Sequence, residues 1–326
     1  MDRTVLVTGG TGFLGSALVR RLVGRGARVR VIDNNSRGRA ARLQDLEERV
    51  EYIEGDVRDA AAIDRACRDV DVVCHLAFIN GTEFFYSKPD LVLDVAVKGM
   101  VHVLDSAMRH HVPELMVMSS SEVYHEPDRV PTDERVALSI PDCLNPRYSY
   151  AAGKLISEVM ALNNGRHFRR VTIVRPHNVY GPDMGEEHVI PQFVARMKSL
   201  LATPGDPIPF KIQGTGRQTR SFVFVDDFID GLMLVLGHGD HLGIYHVGTT
   251  EEVSIATLAR LVAEQYGRPI EIVPGPEAEG GTNRRCPDIS KMAALGYRPK
   301  YTLRDALPDV VRWYDQRQLP AASAKS

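Results

Sequence analysis

The chain has 326 residues, and 44% of them are hydrophobic, so it is long enough to bury one large core or two closely associated ones. The formal net charge is −2, with acidic and basic residues interspersed and no basic stripe, which argues against a nucleic-acid-binding surface. No apolar run approaches the roughly eighteen residues needed to cross a bilayer, and the chain runs at once into a strand pattern. We therefore expect neither a membrane partner nor a signal peptide.

The first predicted strand, over residues 5–8, breaks into a glycine-rich turn, and a helical pattern follows. Gly9 can adopt backbone angles that other residues avoid, Gly12 lets the backbone approach a pyrophosphate, and Gly15 lets helix and strand pack closely. The helix would then direct free N–H groups and the positive end of its dipole at phosphates. This pattern favours a dinucleotide site, although an ordinary glycine-rich turn shares these sequence features.

The second predicted strand, over residues 28–33, ends in Asp33. A carboxylate about twenty residues beyond the glycines is suited to accept both ribose hydroxyls of NAD, and it would repel the additional phosphate of NADP. Arg37 and Arg39 follow closely and would soften that preference. The alternative is that Asp33 is only a turn residue.

Strands and helices continue to alternate along the first half of the chain. Strands are predicted at 50–53, 71–77, 114–118 and 171–174, and helices at 60–68, 90–111 and 150–163. Helices of this length between strands predict an α/β fold, a Rossmann-type doubly wound parallel sheet, in which ligands lie beyond the carboxyl ends of the strands. Those ends carry Gly9, Asp33, Asp56, Ala77, Ser120 and Arg175.

The domain organisation follows from a change in composition after Pro176, where loops rich in glycine and proline appear. We expect residues 1–176 to form an NAD-binding Rossmann domain, to which the chain returns near 220–247. Residues 177–326 would form mainly a smaller C-terminal α/β part that binds the substrate.

The cysteines indicate the redox state of the compartment and whether a metal site is expected. Cys67, Cys74, Cys143 and Cys286 show neither CxxC nor His-paired metal spacing. They predict a reducing, cytoplasmic location, no structural disulfide and no metal site.

Two segments carry the groups that chemistry requires. Tyr150 and Lys154 are four residues apart, so on a helix they share a face, and the lysine charge would lower the pKa of the phenol and make it a general base. In the serine-rich run that follows the strand at 114–118, Ser120 can hydrogen-bond a substrate oxygen and Glu122 can move a second proton. The alternatives are a solvated helix face for the first pair and a capping or ion-paired acid for Glu122.

Taken in order, these motifs resemble the extended short-chain dehydrogenases/reductases of the nucleotide-sugar epimerase, dehydratase and decarboxylase group, over nearly the whole chain. The resemblance implies a tightly held NAD, a nucleoside-diphosphate sugar as substrate, and a transient 4-keto sugar formed when Tyr150 takes the C4 hydroxyl proton. It rests on residues 8–15, Asp33, 55–57, 75–77, the serine-rich strand end, Tyr150 with Lys154, 175–182, 220–227 and 284–291.

The resemblance also implies a role for individual residues, with Ser120, Glu122, Tyr150 and Lys154 as the catalytic set. Lys154 would hold the ribose as well as tune Tyr150. The implied cofactor-binding residues are Gly9, Gly12, Phe13, Leu14, Gly15, Asp33, Asn34, Asp56, Val57, Leu76, Ala77, Tyr150, Lys154 and Pro176. The implied substrate-binding residues are Asn80, Ser121, Asn178, Arg220 and Arg284.

Several reactions can follow oxidation at C4, and the sequence favours 4,6-dehydration. A C4 ketone acidifies the C5–H bond, and Glu122 would remove that proton while a hydroxyl leaves C6. A UDP-glucuronate-type decarboxylase is the alternative, because Arg284 or Arg285 would supply the cation that a sugar carboxylate needs; 4-epimerisation ranks third. A non-catalytic dinucleotide-binding sensor would have no need of the intact Ser120, Tyr150 and Lys154 set.

Some features depart from the family or concern assembly. His125 stands where relatives usually carry glycine, and residues 78–86, which should line the sugar pocket, are unlike the common dehydratase version. In relatives, the helices that correspond to 90–111 and 150–163 pair with their copies in a homodimer, whereas the alternative is ordinary packing within one monomer.

Overall fold

The computed structural model describes residues 3–277 and 281–317. Seven strands in the described part form one parallel sheet in the order β11-β6-β5-β4-β1-β2-β3, and shorter strands form separate small sheets. The strands are β1 (Thr4–Thr8), β2 (Arg28–Asp33), β3 (Val50–Glu54), β4 (Val72–His75), β5 (Glu114–Met118), β6 (Arg170–Pro176), β7 (Val179–Tyr180), β8 (Ile208–Ile212), β9 (Thr219–Ser221), β10 (Val223–Phe224), β11 (Gly243–Val247), β12 (Glu252–Ser254), β13 (Ile270–Pro274) and β14 (Arg284–Arg285).

Helices cover both faces of the main sheet and build the C-terminal part. They are α1 (Phe13–Gly24), α2 (Ala60–Ala66), α3 (Thr82–Ser87), α4 (Pro89–Arg109), α5 (Ser149–Asn163), α6 (Val189–Leu200), α7 (Val225–His238), α8 (Ile255–Glu264), α9 (Ser290–Ala294) and α10 (Leu303–Asp315).

The central strands are buried on both faces because their side chains alternate between two cores. Val5 and Val7 of β1 pack with α1 and α7 on one face of the sheet. Leu6 packs on the other face with α2, α4 and α5. This two-sided burial is the reason that β1 is a continuous apolar run, and it confirms the predicted doubly wound fold.

A third hydrophobic core lies in the C-terminal part, where α6, α8 and α10 pack around β8. Among the strands of residues 3–277 and 281–317, β8 pairs only with β13, and β9 lies between β12 and β14 in a separate small sheet. The chain therefore leaves the main sheet after β6, returns to it through α7 and β11, and then continues into this C-terminal part.

Local sequence patterns located the main elements closely. β2 and β5 have the predicted bounds, and α5 begins one residue earlier than predicted. The short helix α3 was not predicted because six residues are too few to show a helical period.

Three expectations about composition can be compared with the described residues. All four cysteines are free, and the reducing compartment stays a prediction. Among the described helices, none is both long and apolar enough to cross a membrane. No group of His, Cys, Asp and Glu with the arrangement of a metal site occurs in residues 3–277 and 281–317.

Candidate active site

A cavity of about 470 Å³ opens at the carboxyl edge of the main sheet. Every residue that the sequence assigned to cofactor binding or catalysis lines it, as do Asn80, Ser121 and Asn178. The parallel strands bring these residues together, because the turns after β1, β2, β4, β5 and β6 all meet at one edge.

The glycine-rich turn after β1 leaves no room for side chains. Gly9 has a φ of +73°, and a Cβ there would lie 2.8 Å from the backbone of Ala77. A Cβ on Gly15 would lie 2.0 Å from the Gly9 carbonyl oxygen. α1 begins directly after Gly12 without a side-chain cap, so its first N–H groups face the cavity, which fits a pyrophosphate.

The ribose end of the cavity is formed by Asp33, whose carboxylate is held in place by backbone groups. The Thr11 N–H donates to Asp33 Oδ2 at 3.0 Å, and the Asn35 N–H donates to Oδ1 at 2.9 Å. The fixed carboxylate of Asp33 can accept from the ribose hydroxyls of NAD, and the free N–H groups at the glycine turn can donate to its pyrophosphate. The prediction for Asp33 as a ribose ligand is therefore consistent with its position.

Arg58 was missed by sequence reasoning and completes this end of the cavity. Its guanidinium donates to both carboxylate oxygens of Asp56, and it lowers the pKa of Asp56 to about 2. Asn34 donates to the same carboxylate at 2.8 Å. No local motif marks Arg58, because its role depends on the folded turn after β3.

Arginines after β2 reach across to acids that follow β7. Arg37 pairs with Glu187 and lies 4.6 Å from the Phe84 ring centroid, and Arg39 pairs with Asp183. Both arginines are thus engaged by acids, which opposes the expectation that they soften the preference against NADP. The pairs connect the two sides of the cavity.

Tyr150 and Lys154 project from the first turns of α5 into an aromatic enclosure of Phe78 and Phe85, which belong to the segment 78–86 that was predicted to line the pocket. The Tyr150 ring stacks on Phe85 at 4.8 Å between centroids and meets the edge of Phe78 at 5.1 Å. The Lys154 Nζ lies 3.7 Å from the Phe78 ring centroid and donates to the Met118 carbonyl oxygen at 2.6 Å.

This enclosure shifts the pKa of both groups. Burial raises the pKa of Tyr150, and a hydrogen bond with Ser120 and the charge of Arg285 oppose that rise. Burial lowers the pKa of Lys154 to about 7, and Glu158 opposes the fall. The predicted direct effect of Lys154 on the pKa of Tyr150 needs correction: the ammonium is turned toward Phe78 and Met118, and its Nζ is 5.8 Å from the Tyr150 ring centroid.

Glu122 is surrounded by arginines. Arg285 Nη1 donates to Glu122 Oε1 at 2.6 Å, and Arg147 Nη2 lies 4.0 Å from Oε2. Burial alone would raise the pKa of Glu122, but Arg285, followed by Arg147 and Arg220, lowers it to about 2. Glu122 is therefore ionised at neutral pH, beside Tyr150, whose own pKa responds to both Glu122 and Arg285.

The structure corrects the assignment of Arg284, which does not line the cavity. Its side chain is 52% exposed and pairs with Glu252 at 2.7 Å, whereas Arg285 is buried and does line the cavity. Successive residues of a strand point to opposite faces, so only one of the two arginines of β14 can face the site. The Nε atom of Arg285 is buried without a hydrogen-bond partner in the described residues.

Arg220 also lies outside the cavity lining, although its charge acts on Glu122. Its guanidinium donates to the carbonyl oxygens of Thr219 and Thr282, both at 2.7 Å. It therefore supports the segment before Arg285 in this structure, and binding of the substrate by Arg220 stays a prediction.

The backbone at His125 has a φ of +52°, in the left-handed region that favours glycine. This conformation explains why relatives usually carry glycine at this position. Its carbonyl oxygen accepts a hydrogen bond from Thr282 at 3.1 Å, and its ring meets Tyr148 edge-on at 5.2 Å. These contacts hold the backbone in a conformation that side chains disfavour.

Known proteins that resemble this chain share its fold but carry out three different reactions. The model of the family described as NAD dependent epimerase/dehydratase family matches residues 5–248. UDP-glucuronic acid decarboxylase 4 of Arabidopsis thaliana is 33% identical over 319 residues, which are 96% of this chain and 69% of that protein. DesIV, a dTDP-glucose 4,6-dehydratase from Streptomyces venezuelae solved with NAD and TYD bound, has a TM-score of 0.85 at 29% identity and covers 97% of this chain and 98% of its own.

A third protein, UDP-glucose 4-epimerase from Thermotoga maritima solved with UDP-glucose, has a TM-score of 0.83 at 26% identity. The match covers 96% of this chain and 99% of that one. These relatives carry out decarboxylation, dehydration and epimerisation, so similarity alone does not select the reaction.

Replacing Gly15 by Ala is expected to weaken NAD binding by about tenfold or more, because the added Cβ would force the glycine turn away from the phosphates. Gly24→Ala is the matched control, since Gly24 is on the same helix and a Cβ there meets nothing within 4 Å. Isothermal titration calorimetry with NAD measures both variants. Equal affinity of Gly15→Ala and the unaltered protein would contradict this placement of the pyrophosphate.

Proposed function

Because the chain belongs to the NAD-dependent epimerase/dehydratase family, and is thus an enzyme that modifies nucleotide sugars, we propose that it oxidises C4 of a nucleoside-diphosphate uronic acid and then releases carbon dioxide. The observation that carries this proposal is the contact of buried Arg285 with Glu122 beside Tyr150. It supports the proposal because Arg285, with Arg147 and Arg220 also near Glu122, supplies positive charge beside Tyr150, where a sugar carboxylate would lie.

The first step would be removal of the C4 hydroxyl proton by Tyr150, while Ser120 hydrogen-bonds the same oxygen. A bound NAD would supply the acceptor for the C4 hydride and its donor at the end of the cycle, when Tyr150 would return the proton to the C4 oxygen. Burial keeps Tyr150 protonated at neutral pH, so base action requires a nearby positive charge. The charge of Arg285 acts in that direction, whereas the ammonium of Lys154 is turned toward Phe78 and Met118.

The second step would break the C5–C6 bond of the resulting 4-keto acid, which is a β-keto acid. The electron pair of that bond moves toward the C4 oxygen, carbon dioxide leaves, and C5 then takes one proton from water. Arg285 and Arg147 would hold the carboxylate before it leaves, and Ser120 would stabilise the charge that develops on the C4 oxygen. No further acid is needed for this step.

Dehydration, which the sequence alone favours, remains the second candidate, and one observation supports it. Glu122 is ionised beside Tyr150 and is thus in the form that a C5 base requires. Dehydration also needs a proton donor for the departing C6 hydroxyl. The charged groups that act on Glu122 are Arg285, Arg147 and Arg220, and arginines are poor acids.

The remaining assignments are part of the same proposal. Residues 1–176, to which the chain returns near 220–247, would bind NAD, and residues 177–326 would mainly bind the nucleotide sugar. The protein would act in the cytoplasm. Asn80, Ser121 and Asn178 would contact the substrate from the cavity wall. The sequence offered Arg284 or Arg285 as the cation for the sugar carboxylate, and we assign this role to Arg285, which lines the cavity.

We also propose a homodimer through α4 and α5. These helices pack on each other, and each has two large apolar side chains on its outer face. Leu93 and Val97 of α4 are 38% and 37% exposed, and Ile156 and Val159 of α5 are 36% and 43% exposed. A second copy would cover both outer faces with the same residues, as an isologous interface requires.

Mass spectrometry of the products tests the reaction. The purified protein is incubated with neutral and uronic nucleotide sugars, and we expect loss of carbon dioxide from a uronic acid. Tyr150→Phe should lower this turnover by about a hundredfold or more, whereas Tyr148→Phe, the buried neighbour outside the cavity lining, should retain it. Loss of water instead would establish dehydration, and a product of unchanged mass would establish epimerisation.

Arg285→Gln tests the role of the cation. We expect binding of UDP-glucuronate to weaken by about tenfold or more while binding of UDP-glucose changes little, because only the former has a carboxylate for Arg285. Arg284→Gln is the control, since this neighbour faces Glu252 instead of the cavity. Equal weakening for the two sugars in Arg285→Gln would assign the arginine to the diphosphate and contradict the proposal.

The dimer is tested by sedimentation equilibrium. Val159→Asp is expected to give a monomer, because it would bury a carboxylate in an apolar interface. Leu201→Asp serves as the control, since Leu201 is comparably exposed, at 38%, and lies just after α6. A monomeric unaltered protein, or a dimer that survives Val159→Asp, would contradict this interface.

A further inference from the structure

The end of β5 and one face of α5 are joined by three successive contacts. The carbonyl oxygen of Met118 accepts from Lys154, Ser119 donates to Glu158, and Ser120 hydrogen-bonds Tyr150. Tyr150, Lys154 and Glu158 are four residues apart along α5, so they lie one above another on the same face. Glu158 is thus the third member of a row whose other two members are the proposed base and its lysine.

Glu158 is fully enclosed and paired with Arg175 of β6. Both side chains are 2% exposed, and Arg175 donates to Oε1 at 2.8 Å and to Oε2 at 2.5 Å. Arg175 also contacts the hydroxyl of Tyr124. A buried ion pair of this kind contributes little net stability compared with apolar residues of the same volume, so stability alone does not account for it.

The charged and titratable groups around Lys154 come from several elements. Tyr150 and Glu158 face it from α5, and His75 faces it from β4. Burial and the charge of Lys154 lower the pKa of His75 to about 3, so the ring is neutral, and Arg175 lies behind Glu158. Of these described groups, Glu158 is the anion that favours a charged lysine.

We propose that Glu158 is a positioning residue that keeps Lys154 charged inside the buried site, with Arg175 and Ser119 holding its carboxylate in place. This proposal rests on the proposed function for the role of the lysine, in which charged Lys154 binds the ribose of NAD. Glu158 raises the pKa of Lys154 against the effect of burial. The resulting pKa of about 7 lies near neutral pH, where a small shift changes the charged fraction of Lys154 most.

NMR titration of isotope-labelled lysine side chains measures the ionisation of Lys154 directly, with its signal assigned by its disappearance in Lys154→Arg. In Glu158→Gln, which keeps the shape but removes the charge, we expect the pKa of Lys154 to fall by about one pH unit. Glu158→Asp keeps the charge and should restore a value close to that of the unaltered protein.

NAD affinity, measured by calorimetry across pH, provides the second readout. If the charged lysine binds NAD and its pKa falls by about one unit from about 7, the loss of affinity in Glu158→Gln is about tenfold at pH 8 and about twofold at pH 6. A merely structural role would weaken binding by the same factor at both pH values.

Glu114→Gln is the matched control. Glu114 is also a buried carboxylate paired with arginines, but it lies at the opposite end of β5, where Arg3 and Arg170 contact it at 2.7 and 2.6 Å. Both substitutions should lower the melting temperature, and only Glu158→Gln should alter Lys154. If Glu158→Gln does not fold, the double variant Glu158→Gln with Arg175→Met removes the unpaired buried charge and is expected to show the same fall in the pKa of Lys154.

An unchanged pKa of Lys154 in Glu158→Gln, or an equal change in Glu114→Gln, would overturn the proposal. These outcomes are separate from failure of the proposed function. A protein that turns over no nucleotide sugar but whose Lys154 responds to Glu158 would retain this inference and lose the function, and the converse result would lose the inference alone.

Discussion

All seven strands of the main sheet run in the same direction, and the position of the candidate active site depends on that alignment. Each strand of a parallel sheet ends at the same edge, so residues that are far apart in the sequence become neighbours there. The glycine turn after β1, Asp33 after β2 and the serines after β5 meet around one cavity for this reason. The same alignment requires both faces of the sheet to be covered, which the two apolar cores provide.

Electrostatics within the site follow a second constraint, because charges buried at this edge must be compensated. Glu158 is matched by Arg175, and Glu122 by Arg285 with further arginines nearby. The charge of Lys154 is compensated less strongly, since a carbonyl oxygen and an aromatic ring are its nearest partners. This difference explains why the pKa of Glu122 is lowered in spite of its burial, whereas burial lowers the pKa of Lys154 to about 7.

The sequence was sufficient for the parts of the site that are encoded locally. The glycine spacing, the acid at the end of β2 and the four-residue spacing of Tyr150 and Lys154 each lie within one strand, turn or helix. Periodicity therefore placed them, and the cavity contains them all. The fold class was equally predictable, because the alternation of strands and helices depends on local hydrophobic patterns.

Contacts between residues that are far apart in the sequence could not be predicted in this way. Glu122 and Arg285 are 163 residues apart, and no sequence pattern states that they meet. The choice between Arg284 and Arg285 depends on the register of β14, where a shift of one residue exchanges the two faces. The stacking of Phe85 on Tyr150 likewise depends on how α3 docks, and α3 itself is too short to recognise from its sequence.

The helix α5 has almost no uncommitted surface. Its inner face carries Tyr150 and Lys154, and Gly153 lies so close to α4 that a Cβ there would be 2.7 Å from the Cβ of Ala96. Its outer face carries Ile156 and Val159, which a second copy would cover. Substitutions that a typical surface helix tolerates would thus disturb the site, the helix packing or the assembly, so sequence divergence among descendants of this protein should be slowest along α5 and should accumulate in the loops of the C-terminal part.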